Sequence, residues 1–251
     1  MAIGFMLALF LIVIEDTPFL GGGLTFGKVF IHEIGHCISM WLFGYVALPE
    51  WDLEYGGGLA HAFSGQSYLI RIACFLLFIG LAWQNKKNKI IFVSLIIFAC
   101  LFTIVGFFPF HHVVVSFMGH GFEMMIGSLL LFLAWFNVGF NFEGDRLEME
   151  KSLSAGLGFY FNLAVIKNFY RVISDPFIKE EYSSPSARGY DNDFVTISYK
   201  LWVGLESVCY FAIGFAIFCI ILPAILFLVS EFIDRRRTFQ ELVDKGFFDS
   251  K

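Results

Sequence analysis

The sequence predicts an all-α membrane protein, a polytopic bundle of about six to seven transmembrane helices with a short β-hairpin or re-entrant loop after the helix that carries its chemical motif. Three observations predict it. Of 251 residues 58% are hydrophobic, 34 are phenylalanine and only 16% are charged, with a mean hydropathy of +0.74; a soluble domain of this size exposes far more charge. The apolar residues fall into runs of membrane-spanning length parted by short polar connectors. Two basic clusters, Lys86-Lys87 with Lys89 and Arg235-Arg236-Arg237, belong on the cytoplasmic side by the positive-inside rule, which demands an even number of spans between them.

Taken in order, residues 2–14 form a short first span, roughly 20 Å as a helix, with no basic n-region or small-residue cleavage site to mark a removed signal peptide. Glu15, Asp16, Pro18 and Gly21-Gly22-Gly23 connect it to a second span over 24–46. Between 47 and 66 the alternation and the run Gly56-Gly57-Gly58 indicate a hairpin or re-entrant loop, whose backbone must lie against protein or water. Further spans follow at 67–83, 90–108, 113–136, 153–173 and 201–229. The 153–173 run is interrupted by Asn162, Lys167 and Arg171; the even count between the basic clusters requires it as a span. Residues 174–200 are polar, with Pro176, Ser183-Ser184-Pro185 and Asp191-Asn192-Asp193, and read as a mobile loop. The N-terminus, the acidic stretch 50–54 and the 174–200 loop then lie outside, and the C-terminus is cytoplasmic, as in a multi-pass protein of a bacterial inner (plasma) membrane.

Composition also excludes classes of function. A net charge of −5, with no lysine or arginine cluster interleaved with aromatics, is no nucleic-acid footprint. The five cysteines, Cys37, Cys74, Cys100, Cys209 and Cys219, all fall in apolar runs with no C-x-x-C pair, and read as small buried hydrophobes.

The chemistry is concentrated in Val29-Phe30-Ile31-His32-Glu33-Ile34-Gly35-His36, an H-E-x-x-H motif inside an apolar span. On a helix His32 and His36 share a face one turn apart, where two imidazoles bind one metal ion, and Glu33 beside them can reach a metal-bound water. A charge at the middle of a span costs about 2.5–3.5 kcal/mol, so three ionisable groups there are seldom kept without a function or a partner.

Zinc in a peptidase takes three protein ligands and keeps a position open, so a third ligand must come from elsewhere. His120 and Glu123 lead: they are three residues apart on one helix face, within the glycine-lined Gly119-His120-Gly121-Phe122-Glu123. At 1.5 Å per residue His32 and His36 lie roughly 12 and 18 Å from the inner edge, and His120 and Glu123 about 19 and 15 Å, one level in a core of about 30 Å. His61 and His112 are weaker candidates. His61 and Asn162 are candidate donors to an oxyanion.

The motif in its apolar setting, the span continuing to Gly44-Tyr45-Val46, the glycine-rich Gly56-Gly57-Gly58-Leu59 turn and the span after it resemble the site-2 protease family of intramembrane zinc metallopeptidases, in particular its small members without a PDZ domain. The likeness covers residues 25–85. It implies a Zn2+ cofactor ligated by His32 and His36, Glu33 as the catalytic general base, and hydrolysis of a peptide bond in or near a transmembrane segment of a membrane-protein or peptide substrate within the lipid bilayer. Residues 1–230 would then form one integral membrane metallopeptidase-like domain and 231–251 a charged C-terminal tail. One departure stands out: the family's third ligand, an Asp in an N-x-x-P…D-G segment, has no counterpart, since Asn162-Leu163-Ala164 lacks the proline and no D-G pair follows. Two rival readings are a non-proteolytic metal-binding membrane scaffold, against which Glu33 speaks, and a membrane di-iron oxidase or hydroxylase, whose histidine boxes need about eight histidines where this chain has six.

Overall fold

The computed structural model describes residues 1–17, 20–52, 57–63, 65–138, 145–184 and 192–244. They are mostly helical, with one two-stranded antiparallel sheet: α1 (Ala2–Glu15), α2 (Leu20–Leu42), β1 (Ala47–Asp52), β2 (Gly57–Ala62), α3 (Tyr68–Gln84), α4 (Lys89–Phe107), α5 (His111–Phe136), α6 (Asp145–Ser174), α7 (Pro176–Ser183), α8 (Asp193–Leu201) and α9 (Leu205–Asp244). Three helices are long and apolar enough to cross a membrane by length and composition, at Lys89–Phe107, His111–Phe136 and Leu205–Ile233; Ala2–Glu15 and Tyr68–Gln84 are apolar but shorter.

The chain divides into two compact units. The first comprises residues 1–16, 124–167 and 213–251. Small residues allow its helices to approach closely: a side chain on Gly4 of α1 would strike Ala155 of α6, and one on Gly158 of α6 would strike the Gly127 carbonyl of α5. Beside that crossing Leu131, Ala134 and Ala155 form a buried cluster, and Ser154 Oγ donates to the Leu130 carbonyl at 3.0 Å. Lys167 Nζ donates to both Asp16 carboxylate oxygens at 2.9 and 2.8 Å, which ties the end of α1 to α6.

The second unit, residues 17–123 and 168–212, holds the H-E-x-x-H helix. α2 ends where Gly44 takes a positive φ of 90°, a conformation a Cβ resists, and the chain turns into β1. Strand pairing runs from Ala47 opposite Ala62 to Asp52 opposite Gly57, and the hairpin packs along α2. Trp41 Nε1 donates to the Ala47 carbonyl at 2.7 Å and Gln66 Nε2 to the Phe43 carbonyl at 2.9 Å, which pins both ends of the hairpin to α2. Phe43, Phe102 and Val115 form the buried cluster beneath α2, α4 and α5.

Of the stretch expected as a mobile loop over 174–200, the described residues form helices α7 and α8, and 185–191 lie outside the described residues. Asp175 caps α7, its carboxylate accepting from the amides of Phe177 and Ile178, with Pro176 in the first turn, where its missing N–H is harmless. In α8 the apolar Phe194, Val195 and Ile197 are buried. Polar composition had concealed two short helices, of which α8 buries one narrow apolar face. α6 begins at Asp145, well before the span expected from 153, and the charged tail begins as a continuation of α9 to Asp244.

Candidate metal centre

α2 presents His32 and His36 on one face, ring centroids 4.7 Å apart, as the i, i+4 spacing dictates. Their Nε2 atoms stand 3.0 Å from each other. A third atom completes a triangle: Asp193 Oδ2, at the first residue of α8, lies 3.0 Å from His32 Nε2 and 3.1 Å from His36 Nε2.

The opposite edge of each ring fixes what this triangle is. His36 Nδ1 stands 2.7 Å from the Val115 carbonyl oxygen, which only accepts, so Nδ1 carries the proton. His32 Nδ1 stands 2.8 Å from Glu123 Oε1, again an acceptor. Neutral imidazoles in these tautomers turn bare Nε2 lone pairs toward each other and toward a carboxylate. Burial works against the charge of Asp193, but His36 and His32, once an imidazole carries the added proton, outweigh it and hold its carboxyl well below the usual carboxylate range. Three donor atoms converge, and a cation or an added proton on an imidazole must sit among them. The separations suit a metal: ligands about 2.0–2.1 Å from a tetrahedral centre are roughly 3.3 Å apart, and two imidazoles with one carboxylate are a zinc-type donor set.

The surroundings keep that space open. A Cβ on Gly119 of α5 would collide with Nε2 of both histidines, so only glycine leaves the convergence point clear. A Cβ on Gly35 would strike Met118 and Phe122, so this glycine lets α2 and α5 approach closely enough for Glu123 and Val115 to reach the imidazoles. Glu33, 5% exposed, is overlaid by the hairpin: a Cβ on Gly58 would meet its Cγ and Oε1.

Of the residues expected from the sequence, His32, Glu33, His36, His120 and Glu123 gather in one place. Two groups have metal-ligating geometry, His32 with His36 and Asp193, and His32 with His120 and Glu123. The first is the tighter. Glu123, 1% exposed, holds the back nitrogen of His32, the carboxylate–histidine arrangement that orients a ligating imidazole. His120 Nδ1 is 3.4 Å from Glu123 Oε1, and neither His120 Nδ1 nor Glu123 Oε2 has a hydrogen-bond partner among the described residues. His61 lies on β2 opposite Leu48, exposed and edge-on to Phe63 at 5.1 Å; three positions from Gly58, it faces away from the strand side that covers Glu33. Asn162 belongs to the other unit, where its Nδ2 donates to the Gly158 carbonyl at 2.9 Å.

Asp193 is the residue that sequence reasoning did not single out. It reaches the histidines because α8 is anchored through Phe194, fully buried and stacked on Phe169 at 4.2 Å, and because Asn192 Nδ2 donates to the Tyr182 carbonyl at 2.5 Å. The available signal was local: Asn192 before Asp193 and an apolar Phe194-Val195-x-Ile197 is a helix start, and it places a carboxylate in the first turn.

Compared with protein-family models, curated proteins and solved structures, the chain matches none of them.

Proposed function

We propose that the protein is an intramembrane zinc metallopeptidase of the site-2 protease kind, hydrolysing a peptide bond in or near a transmembrane segment of a membrane-protein substrate. The observation that carries this reading is the triangle of His32 Nε2, His36 Nε2 and Asp193 Oδ2 at 3.0–3.1 Å, with a glutamate next in sequence to the first histidine. His32, His36 and Asp193 are the ligands, and Asp193 takes the place left open by the missing family segment. Zinc held there supplies a Lewis acid and a water whose pKa is lowered toward 7.

The chain's own groups do the rest. Glu33 takes a proton from the attacking water and returns it to the leaving amine. Glu123 and the Val115 carbonyl lock the two imidazoles in the tautomers that present Nε2. The β1–β2 hairpin over Glu33 offers an edge on which a locally unwound substrate strand can pair. In this reading α1, α2, α3 and α6 join the three long apolar helices as spans, seven in all, and the C-terminus faces the cytoplasm of a bacterial cell. Against the di-iron alternative speaks the engagement of His111, whose Nδ1 donates to the Phe108 carbonyl at 2.8 Å and whose Nε2 faces Tyr45 Oη at 2.9 Å.

The test compares new N-termini in membranes that contain the wild-type protein with those that contain Glu33→Gln. Fragments cut within transmembrane segments, seen with the wild type and absent with Glu33→Gln, are expected. Identical sets of termini would refute proteolysis and favour a non-catalytic metal scaffold.

A further inference from the structure

A cavity of about 340 Å³ lies beside the metal centre, lined by His120 of α5, by Phe169, Arg171 and Val172 of α6, and by Ile178 and Tyr182 of α7, with Asn168 and Glu181 completing its wall. Every one of these residues belongs to the second unit. His120 is the wall residue that touches the centre: its ring lies edge-on to His32 at 4.4 Å, to Phe169 at 4.9 Å and to Phe194 at 5.3 Å. Val172 is buried, while Arg171 and Glu181 are exposed at the rim. The result is an apolar and aromatic chamber with a charged mouth and an imidazole at its inner end.

Tyr182 connects the chamber to Asp193 as well. Burial together with the Asp193 charge pushes the phenol above its ordinary pKa, so it stays protonated.

Resting on the peptidase reading, we propose that this chamber is the specificity pocket of the enzyme, receiving one large apolar or aromatic side chain of the substrate next to the bond cut, with Val172 and Ile178 setting its size. Volume and lining both point to such an occupant. The space admits a phenylalanine or leucine side chain and is at the small end of ligand pockets; Phe169, Val172, Ile178 and Tyr182 reward apolar burial at about 25 cal/mol per Å². A charged side chain would be desolvated against them, since the charged groups of the lining, Arg171 and Glu181, stand exposed at the rim.

The test needs no substrate. Hydroxamates bind zinc directly, so a methyl and a benzyl hydroxamate are titrated against the zinc-loaded, full-length protein in detergent, beside Val172→Phe, Ile178→Phe and Ile178→Ala, each first checked for unchanged zinc content. The benzyl compound should bind at least tenfold tighter than the methyl one. Either Phe variant should erase that preference with methyl affinity unchanged, and Ile178→Ala should newly admit a naphthylmethyl hydroxamate. Equal binding of methyl and benzyl compounds, or a preference indifferent to all three variants, would overturn the pocket and leave the metal centre standing. Binding of neither compound would overturn both.

Discussion

At the residue scale, groups proposed to ligate differ from groups that orient, and each class predicts its own phenotype. His36→Ala or Asp193→Ala removes one corner of the triangle and should abolish stoichiometric metal. Glu123→Gln keeps an acceptor opposite His32 Nδ1 and should lower metal affinity only about 10–100-fold, the usual effect of losing a partner behind a ligand; competition against a chromogenic chelator measures both. Gly119→Ala adds a methyl group where both Nε2 atoms point, so it should lose metal as fully as a ligand deletion, although it removes no donor. A proton on an imidazole is the metal-free way to reconcile the three converging atoms, and metal and proton compete for the same lone pairs. Metal binding should therefore release protons and weaken on acidification from pH 7.5 to 5.5, which calorimetry in buffers of different ionisation enthalpy detects.

At the scale of elements, the proposed third ligand, Asp193, depends on a short helix. α8 is held by the Phe169–Phe194 stack and by the Asn192 bond to α7, and α7 starts at the Asp175 cap. Asp175→Ala should cost about 1 kcal/mol at that cap and Phe194→Ala about 3–5 kcal/mol; both should lower metal affinity without touching a ligand, and limited proteolysis should open the 174–200 stretch first in each. This region is also where sequence reasoning fell short. The helices α1 to α5, the hairpin and the H-E-x-x-H face were legible because apolar period, glycine turns and i, i+4 spacing are local signals. The gathering of His120 and Glu123 with the motif was legible from helix rise alone, by matching depth. Asp193 was not, because its stretch is polar on average and only three residues, Phe194, Val195 and Ile197, carry the burial that makes it a helix. The role of Glu123 behind His32 could not be read either, since sequence tells which groups share a level but not which nitrogen each one meets.

At the scale of the whole molecule, three helices among the described residues meet the length and apolarity that crossing a membrane requires, which marks a membrane-associated protein. The proposed seven spans need α2 and α6 to cross with their polar groups turned from lipid: in α2 Glu33 and His36 are buried, in α6 Ser154 and Asn162. Single cysteines at Lys87, at Ser184 and at Arg236, in a background cleared of the five native cysteines, should label from the cytoplasm, the outside and the cytoplasm respectively. Labelling of positions 87 and 236 from opposite sides would break the even count between them and with it the topology.

If His32, His36 and Asp193 together hold one zinc ion, the metal content of the detergent-purified protein reports it, wild type beside His36→Ala, Asp193→Ala and Glu123→Gln. About one zinc per chain in the wild type, lost in the first two variants and retained at saturating zinc in the third, is the result this account predicts. No zinc in the wild type, or zinc that survives Asp193→Ala and vanishes in Glu123→Gln, would contradict it.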